Sequence, residues 1–314
     1  MTIQTADRVL PFRGLGHTFT PGTSIEAALD ESYLSGWNVR TEPLNVVTEG
    51  GITTMPRHQL ILRDHPTHGT PDPIAPTGSA YTPVQNEELG AFAAAILDSS
   101  DLTVDSVGAI QDGRKVFITL ASPETITYGE GEDVRRFITI ATGHDGGMST
   151  IVLPMDYRLA CTNQLPGLRR KASAFYSVRH TGAGIMDKVG QARAALSISH
   201  KWNDALDADL RELLATPFSE KQFNTVVEGL FPIPEDASKA MTTRRETARA
   251  DLWTTYRAET NAKVAGSAYG AVQTVTEFAQ WTAGSDRTRL DRNLLHGHQD
   301  RFTAKAVSRI LATV

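Results

Sequence analysis

Positive charge is concentrated in one stretch of this sequence, and its side chains are of the types that bind nucleic acids. Between Tyr157 and Asn203 the cations are Arg158, Arg169, Arg170, Lys171, Arg179, Lys188, Arg193 and Lys201, against a single acid, Asp187. Guanidinium and ammonium groups neutralise phosphates, and an aromatic ring offers a stacking face to bases. We therefore predict a nucleic-acid-binding surface formed by Arg158, Arg169, Arg170, Lys171, Tyr176, Arg179 and His180.

Two other interpretations of this stretch remain open. The first hundred residues hold five arginines and eleven acids, so the basic stretch can pair with them, within one chain or between copies. Head-to-tail pairing between copies produces rings or filaments, which predicts a homo-oligomer. Alternatively, a helix that begins at Thr181 and Gly182 would present backbone N–H groups to a small anion.

A nucleophile is a third kind of chemistry to consider, and Cys161 is the one cysteine. A catalytic thiolate would need His180 or His144 as its base, and nothing in the sequence places either beside it. We interpret Cys161 as a structural residue at a strand–helix junction. His144 and Asp145 lie in a glycine-rich stretch, where a turn is favoured over an acid/base pair.

The sequence gives no basis for a metal or cofactor. His65 and His68, and likewise His296 and His298, resemble metal-ligand spacing only loosely, and neither pair has a matching second cluster. A glycine-rich phosphate loop followed by Lys and Ser or Thr is also missing. We therefore expect no metal, no cofactor and no enzymatic activity.

The elements that would position the basic stretch read as an α+β fold. A turn at Asp112 and Gly113 and a second turn over residues 143–148 each separate two β-branched runs, which predicts two hairpins. A helix that ends at Leu97 would precede them, with Asn86 as its N-cap and Glu87 and Glu88 in its first turn. Apolar residues from Ile185 to Leu196 recur at helical spacing after them. The prediction is an antiparallel sheet of two hairpins followed by a long packing helix.

Breaks in the pattern of predicted helices and strands divide the chain into three regions. Residues 1–80 form an irregular α/β lead-in, with a short helix capped by Thr23 or Ser24. It ends in a loop rich in proline, at Pro66, Pro71, Pro73 and Pro76. Residues 81–216 form the α+β core, and residues 217–314 form a mostly helical C-terminal region.

Composition narrows the class of protein. The formal net charge is −5, so the positive stretch is a local feature. No apolar run approaches the roughly 20 residues that a membrane span needs, and the first residues lack the pattern of a secretory signal. With a single cysteine there is no disulfide framework, which agrees with a cytoplasmic protein that has no membrane partner.

Several short motifs together resemble one known family. They are Gly14-Leu-Gly, Trp37-Asn-Val-Arg40, Tyr81-Thr-Pro-Val-Gln-Asn86, Gly143-His-Asp-Gly146, Arg158-Leu-Ala-Cys-Thr-Asn163, Arg179-His-Thr181 and Ala271-Val-Gln-Thr-Val-Thr-Glu-Phe278. The family is the phage/plasmid-like protein group, a bacterial and phage domain of unknown function, number nine-three-two. The resemblance implies a mobile-element origin and supplies no activity or catalytic residue.

A second resemblance rests on topology alone. A helix, an antiparallel sheet and a long packing helix are similar to the core of single-strand annealing recombinases of the Rad-fifty-two kind, which hold single-stranded DNA along a basic groove. The leading prediction is thus an oligomeric single-stranded nucleic-acid-binding protein, of the annealing or recombination type, in the host cell. The alternative is a module that binds a phage or host protein, and an enzyme of unknown reaction comes third.

Overall fold

The computed structural model describes residues 11–159, 176–178, 188–281 and 298–314, and these residues form two antiparallel sheets and eight α-helices. The strands are β1 (His17–Thr18), β2 (Arg40–Thr48), β3 (Gly51–Asp64), β4 (Pro71–Gly78), β5 (Thr103–Ile110), β6 (Lys115–Tyr128), β7 (Glu132–Gly143), β8 (Thr150–Arg158) and β9 (Tyr176–Val178). The helices are α1 (Pro11–Leu15), α2 (Ile25–Glu31), α3 (Asn86–Leu97), α4 (Lys188–Ala215), α5 (Glu220–Leu230), α6 (Lys239–Tyr256), α7 (Ala268–Trp281) and α8 (His298–Leu311), with a 3₁₀ turn at Glu259–Val264.

The larger sheet confirms the predicted α+β class and both hairpins. Its six strands lie in the order β1-β5-β6-β7-β8-β9, all antiparallel, so the four predicted strands form a continuous meander at its centre. The first hairpin turns through Gln111, Asp112 and Gly113, all with positive φ. Asp and Gly tolerate that conformation better than other residues, which is why the sequence predicted the turn.

Helices cover one face of this sheet. Alternate residues of β6 separate the two faces: Val116, Ile118 and Leu120 pack under α2, α3 and α4, whereas Phe117 lies on the opposite side with Phe12 of α1. The predicted long helix is α4, and its Ala195 and Leu196 belong to the first cluster. The residues that were to begin this helix, Thr181 to Ile185, lie outside the described residues.

Helix caps agree with the sequence at one site and differ at another. Ser24 caps α2 as predicted, accepting a hydrogen bond from the Ala27 N–H at 3.2 Å. The cap of α3 is Gln85 and not Asn86, because Glu88 accepts a hydrogen bond from the Gln85 backbone N–H at 2.8 Å. Asn86 is instead the first helical residue, and its side chain is fully buried.

The proline-rich part of the lead-in is a strand, so the predicted loop is wrong over residues 71–78. Strand β4 pairs with β3 at the edge of the three-stranded sheet β2-β3-β4. A shift in register at Ile61 and Leu62 leaves Pro71, Pro73 and Pro76 opposite alternate residues of β3. All three missing N–H groups therefore fall on one side of the strand. That side can only be the outer edge, where proline is tolerated and blocks further pairing.

The C-terminal region is helical, as predicted. Helix α7 is buried along its whole length, enclosed by α4, α6 and α8. Residues of α7 belong to an apolar cluster that also includes Tyr128 and Val134 from the sheet and Leu206, Leu210 and Leu213 from α4. The helices thus extend the core at the end of the sheet where β6 turns into β7. None of the helices in the described ranges is long and apolar enough to cross a bilayer.

Candidate functional site

Arg158, the first residue of the predicted binding surface, is completely buried. Its guanidinium forms an ion pair with Glu132 through Nε and Nη2, and Nη1 donates to Asn261 Oδ1 at 2.8 Å. Nη2 also donates to the Thr260 carbonyl at 2.9 Å. A side chain enclosed in this way cannot reach a phosphate, so the assignment of Arg158 to the binding surface is wrong. Arg158 instead joins β8 to the 3₁₀ turn of the C-terminal region.

The structure locates one more of the predicted residues. Tyr176 begins β9, opposite Val152 of β8, in the last strand of the six-stranded sheet. Arg169, Arg170, Lys171, Arg179 and His180 lie outside the described residues, as does Cys161. In the order of elements, these residues lie between the end of β8 at Arg158 and the start of α4 at Lys188, before and after β9. We call residues 159–203 the basic segment.

Charge is divided sharply along α4. The basic segment, which begins after Arg158, holds one acid, Asp187, and seven cations: Arg169, Arg170, Lys171, Arg179, Lys188, Arg193 and Lys201. The remaining turns of α4, residues 204–215, hold Asp204, Asp207, Asp209 and Glu212 against Arg211. Packing follows the same division, because Ala195 and Leu196 lie against the sheet and Leu206, Leu210 and Leu213 lie against the C-terminal helices. The cationic half of α4 therefore lies on the side of the larger sheet and β9.

Three motifs that carry the family resemblance meet in one buried cluster. His144 is fully buried, its Nε2 lies 2.9 Å from Asn86 Oδ1, and its ring lies 5.8 Å from that of Trp37. The Tyr81 hydroxyl donates to the Gly143 carbonyl at 3.0 Å, and burial raises the pKa of this phenol. These contacts join the start of α3, the β7–β8 turn and the residues just before β2. Residues of three motifs that lie far apart in the sequence are therefore in contact in the folded chain.

The described hydrogen bonds of His144 and Asp145 go to different partners, Asn86 and Gly147. Asp145 Oδ1 accepts a hydrogen bond from the Gly147 N–H at 2.9 Å, which closes a local turn as the glycines predicted. Arg63 lies beside the same cluster, 4.1 Å above the Trp37 ring and paired with Asp72 at 2.8 Å. The arrangement is that of a structural joint between the two sheets.

A second polar cluster, which the sequence did not predict, lies between the larger sheet and α4. Asp207 of α4 accepts hydrogen bonds from the Tyr128 hydroxyl and from Arg136. Asp156 of β8 is fully buried, and its nearest cation atom is Arg136 Nε at 3.5 Å. Within the described part of the chain, neither Asp156 oxygen has a hydrogen-bond partner. The only signal in the sequence was a lone acid in the apolar run of β8.

The Asp156 carboxyl makes stability depend on pH. Burial raises its pKa from 3.8 to about 7, and Arg136 offsets only part of that effect. Between these values the folded protein holds a proton that the unfolded chain releases, so the free energy of unfolding falls as the pH rises through this window. Asp156→Asn should remove this decrease of the free energy of unfolding with pH, as measured by urea unfolding between pH 4 and pH 7. Asp112→Asn, at an exposed turn, is the control, and an unchanged slope in Asp156→Asn would contradict the assignment.

The paired histidines of the sequence are described at one of their two places, His65 and His68. The rings of His65 and His68 stack face to face with centroids 3.8 Å apart, and their Nδ1 atoms lie within hydrogen-bond distance of the Thr67 and Thr70 hydroxyls. His296 lies outside the described residues. Across the described ranges, no group of three or more His, Cys, Asp or Glu side chains is arranged to hold a metal ion.

Comparison with known proteins gives one family match. The family described as Domain of unknown function (DUF932) matches residues 73–304, about three quarters of the chain. The matched range includes the larger sheet except β1, the basic segment, helices α5 to α7 and the first part of α8. No curated protein and no solved structure matches the chain. The resemblance to annealing recombinases therefore stays a prediction from topology.

Proposed function

The chain belongs to the Domain of unknown function (DUF932) family, and we propose that it binds single-stranded nucleic acid along the basic segment. The observation that carries the proposal is the charge of that segment, seven cations against one acid over residues 159–203. Because the net charge of the chain is −5, its overall composition does not explain a cluster of cations in this segment. Such a local positive field attracts a polyanion and leaves the rest of the surface indifferent to it.

The frame of the segment suits a single strand. The segment contains β9, the last strand in the order of the larger sheet, and continues into the cationic half of α4, where His200 and Lys201 are exposed. An extended strand of nucleic acid can follow such an edge with its phosphates toward the cations and its bases toward aromatic side chains. Tyr176 begins the edge strand and is the aromatic residue that we assign to stacking.

We further propose that the protein acts as an oligomer, as a single-strand annealing or recombination protein of phage or plasmid origin in the host cytoplasm. A basic surface repeated around a ring or along a filament would bind one strand at many points, which multiplies weak phosphate contacts. The competing candidate is a module that binds a phage or host protein. The exposed apolar pair Val47 and Ile52, at the end of the smaller sheet, would suit that candidate as well as a contact between copies of this chain.

The proposed function predicts a steep salt dependence. Single strands lose counterions on binding, with a slope of about −0.7 in log affinity against log salt per phosphate contact. We expect a labelled single-stranded oligonucleotide to bind at low salt and to be released as salt rises, in fluorescence anisotropy. A duplex of the same sequence should bind more weakly, because its bases are not available for stacking. Binding that does not change with salt, or no binding at low salt, would refute the proposal.

A further inference from the structure

The hairpin of β2 and β3 extends beyond the body of the protein as an arm. Residues 45–58 are all exposed, up to the base of the hairpin at Gln59. At the tip, Val47 lies directly opposite Ile52, and these two side chains are 81% and 75% exposed. We call residues 44–58 the arm. An apolar cross-strand pair this exposed marks a contact surface and not a core.

The tip of the arm has only its own two strands to stabilise it, and the arm lacks the cluster of cations that would bind a nucleic acid. An isolated two-stranded ribbon is marginally stable in water, and the third strand, β4, pairs only with residues 58–64 of β3. The charged residues of the arm are Glu49 at the turn and Arg57 near the base, so its tip carries a single acid. A surface of Val, Ile and Thr side chains with one acid at its end fits an apolar recess that has a cation at its rim.

Such a recess lies on the C-terminal region of the same molecule. It has a volume of about 800 Å³ and is lined by Ala250, Trp253, Thr254, Arg257 and Ala258, at the end of α6 and just after it. Trp253 is held edge-on against Phe223, with ring centroids 5.0 Å apart, so its position is fixed. Arg257 lies over the Trp253 ring at 4.9 Å and is the only charged residue in the lining. We call this recess the socket.

We propose that the arm of one copy inserts into the socket of a second copy of this chain. Val47 and Ile52 would cover the Trp253 ring and the two alanines, and Glu49 would approach Arg257. The present partner of Arg257 is Glu220 at 3.7 Å, and both side chains are about two thirds exposed, so this pair is weak and exchangeable. One acid on the arm and one cation on the socket give the charge complementarity that selects this partner.

The contact is head-to-tail, because arm and socket are different surfaces. Such heterologous contacts close into a ring or continue as a filament. This assembly goes beyond the proposed nucleic-acid binding, since it needs no nucleic acid. It names the surfaces that hold the proposed oligomer together, and the two ideas can fail independently.

Light scattering on a sizing column, without nucleic acid, tests the contact. We expect wild-type protein at micromolar concentration to run well above the 34.1 kDa monomer. Val47→Ser with Ile52→Ser should shift it to the monomer. Ala250→Glu, which fills the exposed socket and repels Glu49, should do the same. The control is Val46→Ser with Thr53→Ser, the neighbouring cross-strand pair on the other face of the ribbon, which should leave the oligomer intact.

Mixing the two monomeric variants separates this contact from arm-to-arm pairing. The arm variant keeps its socket and the socket variant keeps its arm, so one contact can form, and a mixture should give a species of twice the monomer mass. Circular dichroism of each variant before mixing confirms that it is folded. A monomeric wild type, an arm or socket variant that stays oligomeric, or a mixture of folded variants that stays monomeric would each overturn the proposal.

Discussion

Arg158→Ala is expected to destabilise the protein by about 3–5 kcal/mol, the usual cost of removing one partner of a buried ion pair. The cause is the charge left behind, because Glu132 is 2% exposed and would keep its carboxylate without the guanidinium that neutralises it. Tyr269 donates to the same carboxylate at 2.8 Å but carries no charge to offset it. Urea unfolding at neutral pH measures the loss.

Two further variants make this result specific to the buried pair. Arg244→Ala removes an exposed arginine from α6 and should change the free energy of unfolding by less than about 0.5 kcal/mol. Arg158→Met combined with Glu132→Gln removes both charges and should be more stable than Arg158→Ala alone. If Arg158→Ala unfolds at the wild-type urea concentration, the side chain is not enclosed, and its place on the binding surface must be reconsidered.

The second large effect concerns the basic segment. Arg169→Ala, Arg170→Ala and Lys171→Ala together should flatten the plot of log affinity against log salt by about two units, because each contact on a single strand contributes about 0.7. At 0.1 M salt this corresponds to about a hundredfold weaker binding. The loss should be similar for every oligonucleotide sequence, since phosphate contacts carry no sequence information.

A control with the same change in charge distinguishes the segment from the net charge of the molecule. Lys221→Ala, Lys239→Ala and Arg244→Ala remove three exposed cations from α5 and α6. This variant should bind with nearly the wild-type slope. Equal losses in the two triple variants would mean that binding is diffuse. An unchanged affinity in the basic-segment variant would favour the protein-interaction module instead.

The parts of the fold that the sequence predicted are those fixed by local chemistry. The turn at Asp112 and Gly113 needs positive φ, which these residues tolerate, and the alternation on either side is visible in the sequence. Ser24 was one of the two residues predicted to cap the short helix of the lead-in, and it caps α2. In each case the signal and the structure lie within a few residues of each other.

The predictions that failed depend on distant partners. Proline indicates a loop by its missing donor, but the register shift opposite Pro73 orients all the missing donors of β4 outward, and only the paired strand β3 shows this. Arg158 counted as one more cation because its partners, Glu132 and Asn261, lie 26 and 103 residues away. Charge counting along a chain cannot separate a buried ion pair from a solvated face.

One missed element did have a local signal. The tip of the arm is a run of β-branched residues around Glu49, Gly50 and Gly51, the pattern of a hairpin, but the lead-in was predicted only as an irregular α/β region. The candidate surface was predicted from composition, and its frame of β9 and α4 came from the fold. The two together define where a strand of nucleic acid would lie.

Photo-crosslinking tests that location most directly. A single-stranded oligonucleotide carrying a photoreactive base would be bound at low salt, irradiated and digested with the protein, and the crosslinked peptides identified by mass spectrometry. We expect crosslinks within residues 159–203, with Tyr176 among the modified residues, and their loss at high salt. Crosslinks confined to the arm, to α5 and α6 or to the N-terminal residues, with none in the basic segment, would contradict it.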